Sequence, residues 1–194
     1  MYFLHQWRDI HIELCLPFNW PLFHKVVAAY SEKNRFYHDL SHLRLGFETI
    51  DILGSSLTEK ERSILKLAFF LHDYLMGPGG EEKSAEALMA HSRMTRPVGL
   101  VLGTKDHQNY VSGDPLWPFM NDADLAIFSK PLETYQKYSG DIWKEYSHYG
   151  REAFVIGRST FLKNFKKNPI FNVMTKMNDQ AIFNIEWELD FLNG

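Results

Sequence analysis

Thr58-Glu59-Lys60-Glu61-Arg62-Ser63-Ile64-Leu65-Lys66-Leu67-Ala68-Phe69-Phe70-Leu71-His72-Asp73 is the stretch that decides the fold. Thr58 followed by Glu61 is a capping box, in which the threonine oxygen accepts from a free backbone N–H and the glutamate reaches back to the cap. From Ile64 to Leu71 the segment is apolar nearly all round, as in a helix buried on every side. Its apolar run is far below the roughly 20 residues that cross a bilayer. The doublet His72-Asp73 therefore stands at the inner end of a core helix. A carboxylate there is costly unless a cation or several donors compensate it, and a divalent metal is an efficient compensator.

Outward from this helix, apolar residues recur at three- and four-residue spacing and strict alternation is scarce, which predicts an all-α helical bundle. One helix is expected over about Trp20–Glu32, with Pro21 in its opening turn, and another over about Leu40–Leu53, closed by Gly54-Ser55-Ser56. Met76-Gly77-Pro78-Gly79-Gly80 predicts a flexible loop overhanging the doublet. A helix over Glu81–Met94 follows and is broken at Arg96-Pro97. Val98–Lys105 is read as helix on the strength of its neighbours. Asp114-Pro115 and Trp117-Pro118 mark an extended connection, after which Asn121–Phe128 restarts as helix with Asp122 and Asp124 in its first turn. Two or three more helices are expected over about Leu132–Leu192, interrupted at Asn168-Pro169, with Phe161, Leu162, Phe165, Phe183 and Trp187 as core candidates. The expected organisation is one domain over residues 1–194, its core about 20–130 and its C-terminal helices about 131–192.

Composition supports a single packed interior: 194 residues, 45% of them hydrophobic and 15% aromatic, are enough for one well-filled core. A net charge of −3 excludes a global field that would draw the chain to nucleic acid or anionic lipid. The basic run Lys163–Lys167 is read as a solvated helical face. With Cys15 as the only cysteine, an intrachain disulfide and a four-thiolate zinc site are excluded, and the reducing cytoplasm is the expected compartment. Between Leu14 and Leu16, Cys15 is expected to be an ordinary buried thiol. Met1-Tyr2-Phe3-Leu4 is interrupted at once by His5, Gln6, Arg8 and Asp9, so no secretion signal is expected. A phosphate-cradling Gly-rich loop, a dinucleotide fingerprint and a Gly-x-Ser-x-Gly elbow are all missing from the sequence.

Nine histidines are more than a core normally needs. His38 and His42 lie four apart and share a face if the second helix extends back through Tyr37. Neutral imidazoles mixed with carboxylates suit zinc, manganese, iron or nickel, and leave open positions for water and a phosphate oxygen. His42, the doublet His72-Asp73, and Asp124 within Asp122-Ala123-Asp124-Leu125 resemble the ordered signature of the HD-domain superfamily of metal-dependent phosphohydrolases. The strings Asn34-Arg35-Phe36-Tyr37-His38-Asp39-Leu40-Ser41-His42, Ser84-Ala85, Thr104-Lys105-Asp106-His107, Glu145-Tyr146, Gly157-Arg158 and Asn184-Ile185 are similar to a bacterial branch of that superfamily. The resemblance runs from about Trp20 to Leu189.

What the resemblance implies is an HD-type bundle holding one or two divalent ions (Mn, Zn, Fe, Ni, Co or Mg) through His42, His72, Asp73 and Asp124, with Asp73 able to bridge two. It implies hydrolysis of a phosphomonoester or phosphoanhydride of a small metabolite, such as a nucleotide, by metal-activated water. Asp73 or Glu81 would position that water, and Glu81 is either the general acid or base or a solvated glutamate at a helix N-terminus. Arg35 is either a phosphate clamp or a solvated surface charge, and Lys105 either adds charge from the facing loop or is likewise a solvated surface charge. His38 fixes a ligand's tautomer, touches phosphate or is purely structural, and His107 either binds a second metal or hydrogen-bonds phosphate. Asp122 is a ligand or an N-cap. The chain departs from the branch at Gly80-Glu81, in the shortened loop after Tyr74, and around Gln180-Ala181-Ile182-Phe183, where a Glu–Arg pairing is expected to be lost. Neither a nucleic-acid polymer nor a membrane is an expected partner, and a homo-oligomer is compatible with the sequence. Two other readings stand beside this one. One is a di-iron oxygenase of the same superfamily, which would use His91 and His107, and the other is a silent metal- or nucleotide-binding regulatory module.

Overall fold

The computed structural model describes residues 1–107, 110 and 112–194. Among them the regular elements are all helical: α1 (Tyr2–Glu13), α2 (Trp20–Ala29), α3 (Leu40–Leu53), α4 (Glu59–Leu71), α5 (Gly80–Ser92), α6 (Thr95–Gly103), α7 (Trp117–Asp124), α8 (Leu132–Tyr146), α9 (Arg151–Phe165) and α10 (Asn178–Asn193). Short 3₁₀ turns follow α3, α6, α7 and α8 and precede α10. None of the described helices is long and apolar enough to cross a membrane.

The deciding stretch forms α4, and its capping box is intact: Thr58 Oγ1 accepts from Glu61 N–H at 3.2 Å, and Glu61 Oε2 accepts from Thr58 N–H at 2.9 Å. Ile64, Leu65, Leu67, Ala68, Phe69, Phe70 and Leu71 are all buried, because α1, α3 and α6 pack around α4. The α3–α4 crossing is close at Gly46, where a Cβ would stand 2.1 Å from the Phe69 ring. Only glycine lets the two helices approach there. Gly46 lies one turn after His42, and Phe69 three residues before His72, so this contact brings the two histidines together.

Several boundaries differ from the sequence reading. Residues 2–13 form a helix that the periodicity of Phe3, Trp7, Ile10 and Leu14 could have revealed, and Trp7 and Ile10 enter the core. The chain breaks after α5 at Arg93, in the left-handed region at φ 55, and Pro97 falls in the first turn of α6, where its missing N–H costs nothing. Likewise Trp117-Pro118 opens α7 instead of extending a connection, so Asp122 and Asp124 occupy its C-terminal half and not the first turn. Cys15 is exposed with φ 52, in the turn that ends α1, and is not a buried thiol. Leu162 and Phe165 are buried as expected, Trp187 is half-buried, and Phe161 and Phe183 are exposed.

Buried side chains form two clusters. The larger is built from α1–α7, and the smaller from the turn after α7, α8–α10 and the α9–α10 connection. Asn121 and Asp122 tie them together: Asn121 Nδ2 donates to Ile170 O at 3.2 Å, and the Asp122 carboxylate accepts from Asn172, Val173 and Met174 N–H at 2.7–2.8 Å. Asp122 is thus neither a metal ligand nor an N-cap. Burial raises its pKa, and these three donors oppose that rise.

Candidate metal centre

Three helix ends converge. His42 sits in the first turn of α3, whose N-cap Asp39 accepts from Ser41 N–H at 2.7 Å. The helix therefore starts at Leu40 and does not run back through Tyr37, yet the loop still holds the His38 ring 5.6 Å from that of His42. His72 caps the C-terminus of α4, Asp73 follows it, and Asp124 ends α7. Two carboxylates at two helix C-termini face the negative ends of both macrodipoles, a placement that calls for a cation between them.

The chain beyond α4 is pinned group by group. Asp73 N–H donates to Tyr30 Oη at 3.1 Å, and Leu75 N–H donates to Ser84 Oγ at 3.0 Å. The Arg35 guanidinium donates to the carbonyls of Asp73 at 2.6 Å and Tyr74 at 2.9 Å. Arg35 is buried behind the centre with Nη1 and Nη2 engaged by backbone carbonyls, so it is no phosphate clamp: it fixes the strap that carries Asp73.

His42 Nε2 and His72 Nε2 are 3.1 Å apart. Asp124 Oδ1 lies 3.3 and 3.2 Å from them, and Asp73 Oδ2 lies 3.7 and 3.0 Å away. All four ligand atoms fall within 4.8 Å of one another. A cation with bonds of about 2.1 Å has neighbouring ligand atoms about 3.0–3.4 Å apart in octahedral or tetrahedral geometry, so these donors fit one. Tautomer logic agrees. His72 Nδ1 is 2.8 Å from the Phe69 carbonyl, which only accepts, so the proton of neutral His72 is on Nδ1 and the Nε2 lone pair faces the carboxylates. Lone pair against carboxylate is repulsive until a cation or a proton intervenes. With protons as the only cations, burial opposes charging His72, but Asp73 and Asp124 outweigh it and hold its pKa well above the usual histidine value. Both aspartates are held low against burial, chiefly by His72. His42 is pushed down by burial, and its Nδ1 has no hydrogen-bond partner among the described residues.

Two more histidines flank this focus. His107 Nε2 lies 3.3 Å from Asp124 Oδ2, and its Nδ1 is 2.9 Å from Asn121 Oδ1. Asp124 raises its pKa against burial. His38 Nε2 is 4.0 Å from Asp73 Oδ2, while Nδ1 binds Glu145 Oε2 at 2.7 Å. Glu145 Oε1 also accepts from Tyr37 and His38 N–H at 2.7 and 2.9 Å, so the dyad is rigid. Burial disfavours the imidazolium, but the Glu145 hydrogen bond prevails and raises its pKa. Glu145 lies 107 residues from His38, and no spacing rule could pair them; the string Glu145-Tyr146 was its only sign in the sequence.

The centre opens into a cavity of about 620 Å³ at the seam between the two clusters. His38, Asp73, Glu81, Lys105, His107 and Asp124 line its polar end, and Leu75–Gly77 supply the overhanging loop. Lys105 is exposed and bonded to Glu82, so its charge is shared at the rim. His91 is elsewhere: its Nε2 lies 2.7 Å from His11 Nε2, and its ring stacks on Trp7. The extra histidine that a di-iron oxygenase reading requires is thus engaged by α1, outside the centre. Positions 180–183 carry neither glutamate nor arginine, and a buried Glu–Arg ion pair is formed elsewhere, by Arg158 and Glu188 at 2.9–3.0 Å. No family model, curated protein or solved structure matches the chain.

Proposed function

We propose that the chain is a metal-dependent phosphohydrolase of the HD type, acting on a small phosphorylated metabolite such as a nucleotide. The observation that carries this reading is the four-donor focus of His42, His72, Asp73 and Asp124, open on one side to a cavity large enough for a metabolite. The ligand order along the chain, histidine, then His-Asp, then aspartate, supports the HD assignment.

A divalent cation held there would supply charge to neutralise phosphoryl oxygens and would acidify a water. The protein's own groups do the remainder. Asp73 is the more open ligand carboxylate, its side chain 24% exposed against 12% for Asp124, so it can hold and orient the attacking water by accepting its hydrogen bond. His38, its pKa raised by the Glu145 hydrogen bond and its ring lining the same cavity, is the candidate donor to a phosphoryl oxygen or to the leaving oxygen. Glu81 lines the cavity near the N-terminus of α5 and is the second candidate for that proton transfer. Lys105 and His107 line the same cavity.

The test has two stages. Elemental analysis of the purified protein should find metal, and His72→Ala should lose it while its far-ultraviolet circular dichroism stays helical. Phosphate release from a panel of phosphorylated metabolites, with metal restored, should then identify a hydrolysed class. Glu145→Gln and Glu81→Gln separate the two proton-transfer candidates, since the true one slows turnover by about 10²–10⁴-fold with metal retained. Equal metal content in the wild type and His72→Ala would end the reading.

A further inference from the structure

We propose that the recess floored by Arg158 seats the organic half of the substrate and selects a flat ring bearing a neutral hydrogen-bond acceptor, such as a carbonyl oxygen. The inference rests on the phosphohydrolase reading, which sends the phosphoryl group to the histidine and aspartate end of the cavity.

Away from the centre the cavity wall turns apolar and aromatic, with Phe128, Tyr138, Ile142, Phe154 and Phe161. Tyr37 links the two ends: its ring is 5.0 Å from His42 on one side and 4.5 Å from Tyr138 on the other. The recess therefore begins one ring beyond the centre. Arg158 lies in its floor, its guanidinium 5.3 Å from the ring centroids of both Tyr138 and Phe161.

The hydrogen bonds of Arg158 decide what it can recognise. Nε and Nη2 donate to the Glu188 carboxylate, and Nη2 also donates to Tyr138 Oη at 3.1 Å. Glu188 is buried and further fixed by Tyr135 Oη at 2.6 Å. The arginine charge is thereby cancelled and its plane locked between two rings. Nη1 makes no hydrogen bond to the described residues, and it is not sealed in the interior. Arg158 thus offers the cavity a fixed N–H donor in a neutral setting.

A second phosphate there would meet Glu188, whereas a neutral acceptor meets a donor whose charge is already balanced. The rings beside it call for a flat partner. Phe161 is 41% and Tyr149 61% exposed, and both line the cavity with faces that packing would cover. A bare sugar or glycerol moiety can accept from Nη1 but leaves these aromatic faces uncovered. Arg158 is accordingly a specificity-determining residue, remote from the reacting atoms.

Two probes isolate the ring. Uridine 5′-monophosphate and ribose 5-phosphate carry the same phosphorylated ribose, but only the first has a flat ring with carbonyl acceptors. For the metal-loaded wild type, kcat/KM should favour the nucleotide by about 100-fold. Arg158→Lys keeps a cation opposite Glu188 but loses the planar fork, and the ratio should fall about tenfold or more. Phe161→Ala trims an exposed ring, leaves the core intact and should also lower the ratio. A wild-type ratio near one, or the same ratio in all three proteins, overturns the inference. Should neither ester release phosphate, the hydrolase reading fails for this substrate class, and saturation-transfer NMR with uridine and metal-free protein decides the recess on its own. Transfer to the base protons that is lost in Phe161→Ala supports the recess, and no transfer in the wild type refutes it.

Discussion

Asp124→Asn should all but abolish metal-induced stabilisation. Asp124 faces three imidazoles: Oδ1 lies 3.3 Å from His42 Nε2 and 3.2 Å from His72 Nε2, and Oδ2 lies 3.3 Å from His107 Nε2. Asparagine keeps its shape and removes its charge. A ligand present at 1,000 times its Kd stabilises the folded state by about 4 kcal/mol. For a chain of this length each kcal/mol is worth about 2–4 °C, so saturating metal should raise the wild-type Tm by about 8–16 °C. Loss of a partner behind a ligand already weakens metal binding about 10–100-fold, and loss of a charged ligand should weaken it about 1,000-fold. The same metal concentration then equals Kd, the stabilisation shrinks to about 0.4 kcal/mol, and the Tm rise to about 1 °C. Melting curves with and without metal, each protein compared with its own metal-free form, cancel the change in baseline stability. An equal metal-induced rise in both proteins would refute the assignment of Asp124.

Three other perturbations probe the scaffold. Gly46→Ala drives a Cβ into the Phe69 ring and should cost about 1–3 kcal/mol, visible as a lower Tm, while parting His42 from His72 weakens metal binding in a competition titration. Arg35→Met leaves the carbonyls of Asp73 and Tyr74 unpaired and should lower metal affinity about 10–100-fold with every ligand present; unchanged affinity would show that the strap holds itself. The His11–His91 contact predicts a pH dependence. The Trp7 carbonyl fixes the His11 proton on Nδ1, so His91 donates Nε2–H to His11 Nε2 and both rings are neutral in the fold. Burial, then the electrostatic influence of the His11 ring beside it, pushes His91 down to about 4. This contribution is therefore complete above about pH 6.5 and is lost as pH falls toward 4. It should amount to about 1–2 kcal/mol once solvent screening of this half-buried ring is allowed for. His91→Gln should flatten the Tm profile across that window, and an unchanged slope would refute the assignment.

Much of the centre was legible because its parts are local. The cap at Thr58 and the apolar run behind it place His72 and Asp73 at the end of a buried helix, and the resemblance of the ordered histidine and aspartate residues to a known signature points to His42 and Asp124. Arg35 misled because a guanidinium suits a phosphate and a backbone carbonyl equally well, and only the folded strap shows which it meets. Asp122 and Asp124, two residues apart in the same stretch, part company for the same reason: one turns to the α9–α10 connection and the other to the histidines.

By itself the sequence determined the helical class and the buried position of α4, since caps and periodicity act within a few turns of chain, while the four donors were named only by their resemblance to an ordered signature. Tertiary structure alone decided the rest: the His38–Glu145 dyad, the Arg158–Glu188 recess and the pairing of His91 with His11. Each joins side chains from separate helices. Which two faces meet is settled by the packing of both clusters at once, where a contact as small as Gly46 against Phe69 sets the helix spacing.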